Sequence, residues 1–227
     1  MQRRTTHQSG QLAQILKEKA LKSIEIVAEL AQGFEGNLRQ GQLLVKAAAK
    51  SGADIAKLQL VYADELATPD YEYYDLFKGL EMPDDAWATL VQDANDQDVQ
   101  IEFDVFGSRS LKLAADLGCP SVKLHGTDIS NLGFLEEVNA SPVRKVALGA
   151  GGAHRSEIDT ALNKLSGKNV VIMLGFQAYP TPDPSNQISR VRSLVDAFSN
   201  QSDRISIGFA DHAAPESPLR YALAATA

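Results

Sequence analysis

The stretch "GADIAKLQLVYA", residues 52–63, decides how this chain is read. The run Ile55 to Val61 follows a helix-like segment and the turn Ser51-Gly52, so it reads as a β-strand. Side chains alternate along a strand, which puts Ile55, Lys57 and Gln59 on one face and Ala56, Leu58 and Leu60 on the other. The aliphatic face suits packing under helices. The opposite face carries an ammonium and an amide into an interior, which is costly unless a partner or ligand satisfies them. Polar groups on the inward face of a buried strand point to a site inside a β/α protein.

Outward from this stretch one pattern recurs, a short β-rich run followed by an amphipathic helical segment. The strands read as Glu25–Leu30, Asp54–Val61, Gln100–Phe106, Ser121–His125, Lys145–Gly149, Val170–Phe176 and Ile205–Phe209. Between them lie "LRQGQLLVKAAAKSG", "PDDAWATLVQDANDQD", "SRSLKLAADLG", "NLGFLEEVNAS", "RSEIDTALNKLSG" and "ISRVRSLVDAFSNQ", all with helical spacing. Alternating β and α elements with short connections predict parallel strands and right-handed crossovers. A doubly wound dinucleotide fold would carry G-x-G-x-x-G after its first strand, and Ala31-Gln32-Gly33-Phe34-Glu35-Gly36 does not match it. Polar residues at the C-terminal ends of several strands favour a TIM (β/α)8-type barrel. The expectation is an incomplete barrel of about seven strands over residues 23–227, preceded by a helical extension over residues 1–22 ("LAQILKEKALK"). "SPLRYALAATA" would open the helix after the seventh strand, with an eighth strand absent.

At 227 residues the chain can bury one substantial core. A net charge of −7 and a pI near 5.1 argue against nucleic acid as the main partner. The single Cys119 excludes an intramolecular disulfide and fits a reducing, cytoplasmic setting. No apolar run is long enough to span a bilayer, and the N-terminus lacks the apolar segment of a secretory signal.

Glu29 ends the first strand, as a solvated carboxylate or a functional one. Gln100, Glu102 and Asp104 alternate with Ile101, Phe103 and Val105 on the third strand, giving an acidic inward stripe, in which Glu102 is expected to form a structural ion pair with a lysine. On the fourth strand Lys123 and His125 face one way. Lys57 and Lys123, aimed from different strands into one mouth, would hold a phosphate or carboxylate as point charges. The competing reading is that Lys123 pairs with Asp104 or Glu102 and fills the barrel. Prolines in "GFQAYPTPDPS" would orient Tyr179 over the mouth. Asp211-His212 ends the seventh strand and offers one metal ligand beside a carboxylate, weak evidence where a site needs at least three protein ligands.

Together these segments resemble the sialic-acid synthase family (N-acetylneuraminate synthase and relatives that make other nonulosonic acids). The resemblance runs in order through "IVAEL", "GADIAKLQ", "LEMPDDAW", "FDVFGSRSLKLAADLG", "SVKLHGTDISNLGFLEEV", "KVALGAGG", "YPTP" and "GFADHA", covering nearly all of residues 24–215. It implies a (β/α)8 barrel that condenses phosphoenolpyruvate with an N-acetylated amino sugar. It further implies that Lys57 and Lys123 bind phosphoenolpyruvate, that Gln59 and Tyr179 contact the sugar, and that Glu29 handles a proton or positions water. His212, with Asp211 beside it, would be one of two histidine ligands to Mn²⁺ or Mg²⁺. The chain also departs from the family pattern. Gly33-Phe34-Glu35-Gly36 stands where the family carries Asn-His-Asn-Gly, and Val105, Gly126, Gly149, Phe176 and Ala210 replace hydroxyl or amide donors, with Thr127 as a substitute for one. The eighth strand with its second histidine and a C-terminal antifreeze-like domain would lie outside these residues.

Two other classes stay open at this point: a degraded barrel that binds sugar or scaffolds an assembly, and an aldolase-like barrel with a Schiff-base lysine. Exposed strand edges in an incomplete barrel predict self-association, with a homodimer expected.

Overall fold

The computed structural model describes residues 24–218. The extension expected over residues 1–22 lies outside the described residues, as does all of "SPLRYALAATA" beyond Pro218. Seven parallel strands form one sheet in sequence order: β1 (Val27–Ala31), β2 (Ile55–Gln59), β3 (Gln100–Val105), β4 (Ser121–Leu124), β5 (Lys145–Gly149), β6 (Asn169–Leu174) and β7 (Ile205–Phe209). The helices are α1 (Leu38–Lys50), α2 (Ala63–Leu66), α3 (Tyr74–Leu80), α4 (Asp84–Asn95), α5 (Ser108–Asp116), α6 (Leu132–Ala140), α7 (Arg155–Lys164) and α8 (Arg190–Ala197). All six expected helices and all seven expected strands are present. The short α2 and α3 carry no helical pattern in the sequence, since four and seven residues are too few to show a helical period.

Local chemistry explains the elements. Asn37 caps α1 by accepting from the Gln40 N–H, and Gly52, at φ +82, takes the left-handed turn that follows the helix. Gly41, Val45 and Ala48 form the buried stripe of α1, and Gly41 lets that helix approach Leu90 of α4. Beneath it Trp87 packs edge-on against Phe34 at 5.1 Å and against Phe103 at 5.5 Å, so α4 and β3 share one aromatic core.

The sheet curls. In a flat sheet β1 and β5 would lie roughly 19 Å apart, four strand spacings. Here Lys145 Nζ at the start of β5 meets Glu25 Oε1 just before β1 at 2.6 Å. The expected incomplete barrel is therefore what forms, with an apolar outer face under the helices and an inner face that is polar along β1 to β4. In register, Glu29 pairs with Lys57 and Lys57 with Glu102, while Gln59 pairs with Asp104 and Asp104 with Lys123. These two rows are the inward face read from "AKLQ".

The Glu102 expectation needs correction. Its side-chain partner is the Ser121 hydroxyl, and among the described residues no lysine stands at ion-pair distance from it. Burial is the main influence and raises its pKa above the ordinary 4.5, with Ser121 and the more distant charges of Lys57 and Lys145 opposing it. The folded protein thus binds this proton more tightly than the unfolded chain does, and Glu102 lowers stability as pH rises above 4.5. Glu102→Gln is expected to raise the melting temperature at pH 8, with the gain shrinking as the pH is brought down towards 4.5. A pH-independent difference in thermal melts would show that burial of the charge is not the cause.

Candidate active site

The C-terminal ends of β1 to β4 bring two lysines and two carboxylates together. Lys57 Nζ lies 2.5 Å from Glu29 Oε2 and 3.5 Å from Asp104 Oδ1, and Lys123 Nζ lies 2.9 Å from Asp104 Oδ2. One carboxylate thus holds both ammonium groups. The register causes this, because Asp104 on the middle strand has Lys123 directly beside it on β4 and Gln59 beside it on β2. Asp104 is 1% exposed and Lys57 5%, whereas half of the Glu29 side chain faces water. The Oδ1 contact is one of charge alone, since that atom has no hydrogen-bond partner among the described residues.

A β-bulge sets Glu29 in place. The register passes from Glu29 opposite Lys57 straight to Ala31 opposite Leu58, and Ala31 adopts φ 47. The Ala31 N–H donates to Glu29 Oε1 at 3.1 Å, leaving the other oxygen for Lys57. Burial by itself would lower the Lys57 pKa, but Asp104 and then Glu29 outweigh it, so the value stands above that of an ordinary lysine. Lys57 is therefore held as an ammonium, a poor nucleophile for imine formation. Gln59 accepts at Oε1 from Gln32 Nε2 at 2.8 Å. Gln32 follows the bulge and carried no sequence signal as a site residue.

Beside Lys123, His125 Nδ1 lies 3.1 Å from Thr127 Oγ1 in the short 3₁₀ turn Gly126–Ser130. Burial, then the Lys123 charge, lowers the His125 pKa, which keeps its ring neutral. Across the mouth, the Tyr179 and His212 rings lie with centres 4.3 Å apart, tilted by 39° to each other. His212 Nδ1 lies 2.7 Å from the Phe176 carbonyl, to which it donates, so Nε2 accepts from the Tyr179 hydroxyl at 3.1 Å. Burial raises the Tyr179 pKa, and the fields of Glu29 and Asp104 add to the rise while Lys57 opposes it, so the phenol feels the same charged cluster.

One of the replaced donor positions has a packing reason. A Cβ at Gly149 would sit 2.6 Å from the Gly126 nitrogen, so β4 and β5 approach too closely for a hydroxyl side chain there. Val105 is fully buried, and Phe176 is turned to solvent. For a divalent ion, His212 Nε2 is the lone pair to offer, yet it is taken by Tyr179, and Asp211 Oδ1 accepts from the Ala213 N–H at 2.9 Å. Among the described residues no group of three His, Cys, Asp or Glu side chains converges as a metal site. These residues do not by themselves fit Mn²⁺ or Mg²⁺.

The NeuB family profile matches residues 44–227. The chain belongs to the NeuB family. It is 26% identical over 211 residues to the N,N'-diacetyllegionaminic acid synthase of Campylobacter jejuni, covering 85% of this chain and 61% of that protein. It is 28% identical over 201 residues to the spore coat polysaccharide biosynthesis protein SpsE of Bacillus subtilis, covering 82% of this chain and 52% of that one. Among solved structures, SpsE superposes with a TM-score of 0.72 at 27% identity, over 85% of this chain and 54% of that chain. An N-acetylneuraminic acid synthetase from Leptospira borgpetersenii gives 0.76 at 22% identity, over 86% and 70%, a likeness of fold. This NeuB-family chain spans 52% to 61% of the length of the curated relatives it matches.

The two carboxylates should differ in weight. Asp104→Ala leaves the largely buried Lys123 without its anion and Lys57 with Glu29 alone, and is expected to cost about 3–5 kcal/mol in urea unfolding. Glu29→Ala removes a half-solvated partner and should cost no more than about 1 kcal/mol. Equal costs would mean that burial does not govern this cluster.

Proposed function

We propose that this protein acts as a synthase of the sialic-acid type, joining phosphoenolpyruvate to an N-acylated amino sugar to give a nonulosonic acid for carbohydrate biosynthesis. The observation that carries the reading is the convergence of Lys57 and Lys123 within 3.5 Å of one carboxylate, at the strand ends of a NeuB-family barrel. Two ammonium groups that can share one carboxylate can share a phosphate or carboxylate of substrate. In this reading they grip phosphoenolpyruvate, Gln59 and Tyr179 bind sugar hydroxyl or amide groups, and Thr127 adds a hydroxyl donor beside Lys123. Glu29, the water-facing carboxylate, manages a proton or the attacking water. The methylene carbon of phosphoenolpyruvate bonds to the open-chain sugar aldehyde carbon, and the aldehyde oxygen takes a proton. Water adds at the adjacent carbon, and phosphate leaves with cleavage of its C–O bond. A divalent ion would need ligands beyond the described residues, so no step is assigned to one.

The same geometry supports a second reading, a barrel that binds sugar or scaffolds an assembly without turnover. What favours it is that both lysines already have carboxylate partners. The raised Lys57 pKa argues against the Schiff-base alternative. We also propose a homodimer, supported by the exposed Ile24, Ile26 and Val27 along the outer edge of β1. No described helix is long and apolar enough to cross a membrane.

The test is phosphate release from phosphoenolpyruvate by the intact protein, with Mn²⁺ and a panel of N-acylated hexosamines. Sugar-dependent release that falls at least about 100-fold in Lys57→Met is the expected result, as for loss of a transition-state charge contact. No sugar-dependent release would remove the synthase reading in favour of the second.

A further inference from the structure

We propose that Asp104 is an internal counter-anion that occupies the lysine grip, so that a small dianion must compete with it and the charge at position 104 sets how tightly the mouth takes anions. This rests on the reading of Lys57 and Lys123 as the anion grip, and it adds a residue that opposes them.

The geometry is that of a bound ligand supplied by the chain. Asp104 reaches from β3 between the strands that carry the lysines and presents one oxygen to each, at 3.5 Å and 2.9 Å. A carboxylate anchored only to be solvated would not be 1% exposed. Nor is it held by the backbone or a hydroxyl: Oδ1 has no hydrogen-bond partner among the described residues and leans on charge alone. The groups that face this cluster come from every side: Glu29 from β1, Lys57 from β2, Glu102 from β3, Lys123 and His125 from β4 and its end, and Tyr179 from the loop after β6. Lys57 and Lys123 against Glu29 and Asp104 sum to zero. An arriving dianion therefore meets no net positive charge in these four groups, and has to take the Lys123 hydrogen from Asp104 against the repulsion of two carboxylates.

A neutral residue at 104 leaves Lys123 without its anion and opens the grip. Titration calorimetry with inorganic phosphate on the wild-type protein, on Asp104→Asn and on the double variant Asp104→Asn with Lys123→Met tests this. Asp104→Asn is expected to bind phosphate at least about tenfold more tightly than wild type, the scale set by removing one charge near a dianion even at high dielectric. The double variant should lose that gain. Equal or weaker binding by Asp104→Asn, or a gain that survives Lys123→Met, overturns the proposal. Where Asp104→Asn is too unstable for calorimetry, its melting temperature should rise more with added phosphate than that of wild type, and an equal or smaller rise overturns the proposal too. Tighter phosphate binding by Asp104→Asn, beside a wild type with no sugar-dependent turnover, would sink the synthase reading and leave the role of Asp104 standing.

Discussion

An ammonium group carried into a β/α interior keeps its charge only if an anion comes with it. Lys57 enters the barrel almost completely buried, and the rest of the mouth is arranged around that fact. Two carboxylates answer it from opposite sides, Glu29 from the water and Asp104 from the core. The bulge at the end of β1 aims the first, and the parallel register of β3 delivers the second. The second also meets Lys123, and so one buried carboxylate ties three strands together at their C-terminal ends.

Fold and chemistry are linked through this alignment. The curl of the sheet, marked by the Glu25–Lys145 contact, turns the inner faces of β1 to β4 towards a common mouth. At the other side of that mouth, Tyr179 and His212 are locked to each other and to the Phe176 carbonyl. The close approach of the β4 and β5 ends leaves Gly149 no room for the hydroxyl side chain that the family pattern would place there. A site with fewer neutral donors leans more heavily on charge, and its charges are already balanced internally.

Much of the fold was legible because it is periodic. "IAKLQ" alternates cleanly, and the helical segments between strands carry apolar stripes long enough to register. The strand ends were less legible, because a bulge such as that at Leu30 is set by register with a neighbour and leaves no local pattern. The lysines, Gln59 and the inward acids could be named from alternation alone. Which acid meets which lysine could not, since Glu102 and Asp104 share a face and differ by one row of register. The sequence reading favoured Glu102 for a lysine pair; Asp104 holds both lysines, and Glu102 rests on Ser121. Gln32 was invisible for the same reason: it reaches Gln59 across the turn after the bulge, a contact made by the fold alone.

The claim at the centre of this account is that Asp104 and Lys123 act on each other directly, inside the protein, in the absence of ligand. A double-mutant cycle of Asp104→Asn and Lys123→Met, read from urea unfolding in a buffer free of phosphate and sulfate, measures that coupling. The account predicts a coupling of about 1.5–3 kcal/mol, the range of a charged hydrogen bond. A coupling within about 0.5 kcal/mol of zero, where independent sites fall, would contradict it.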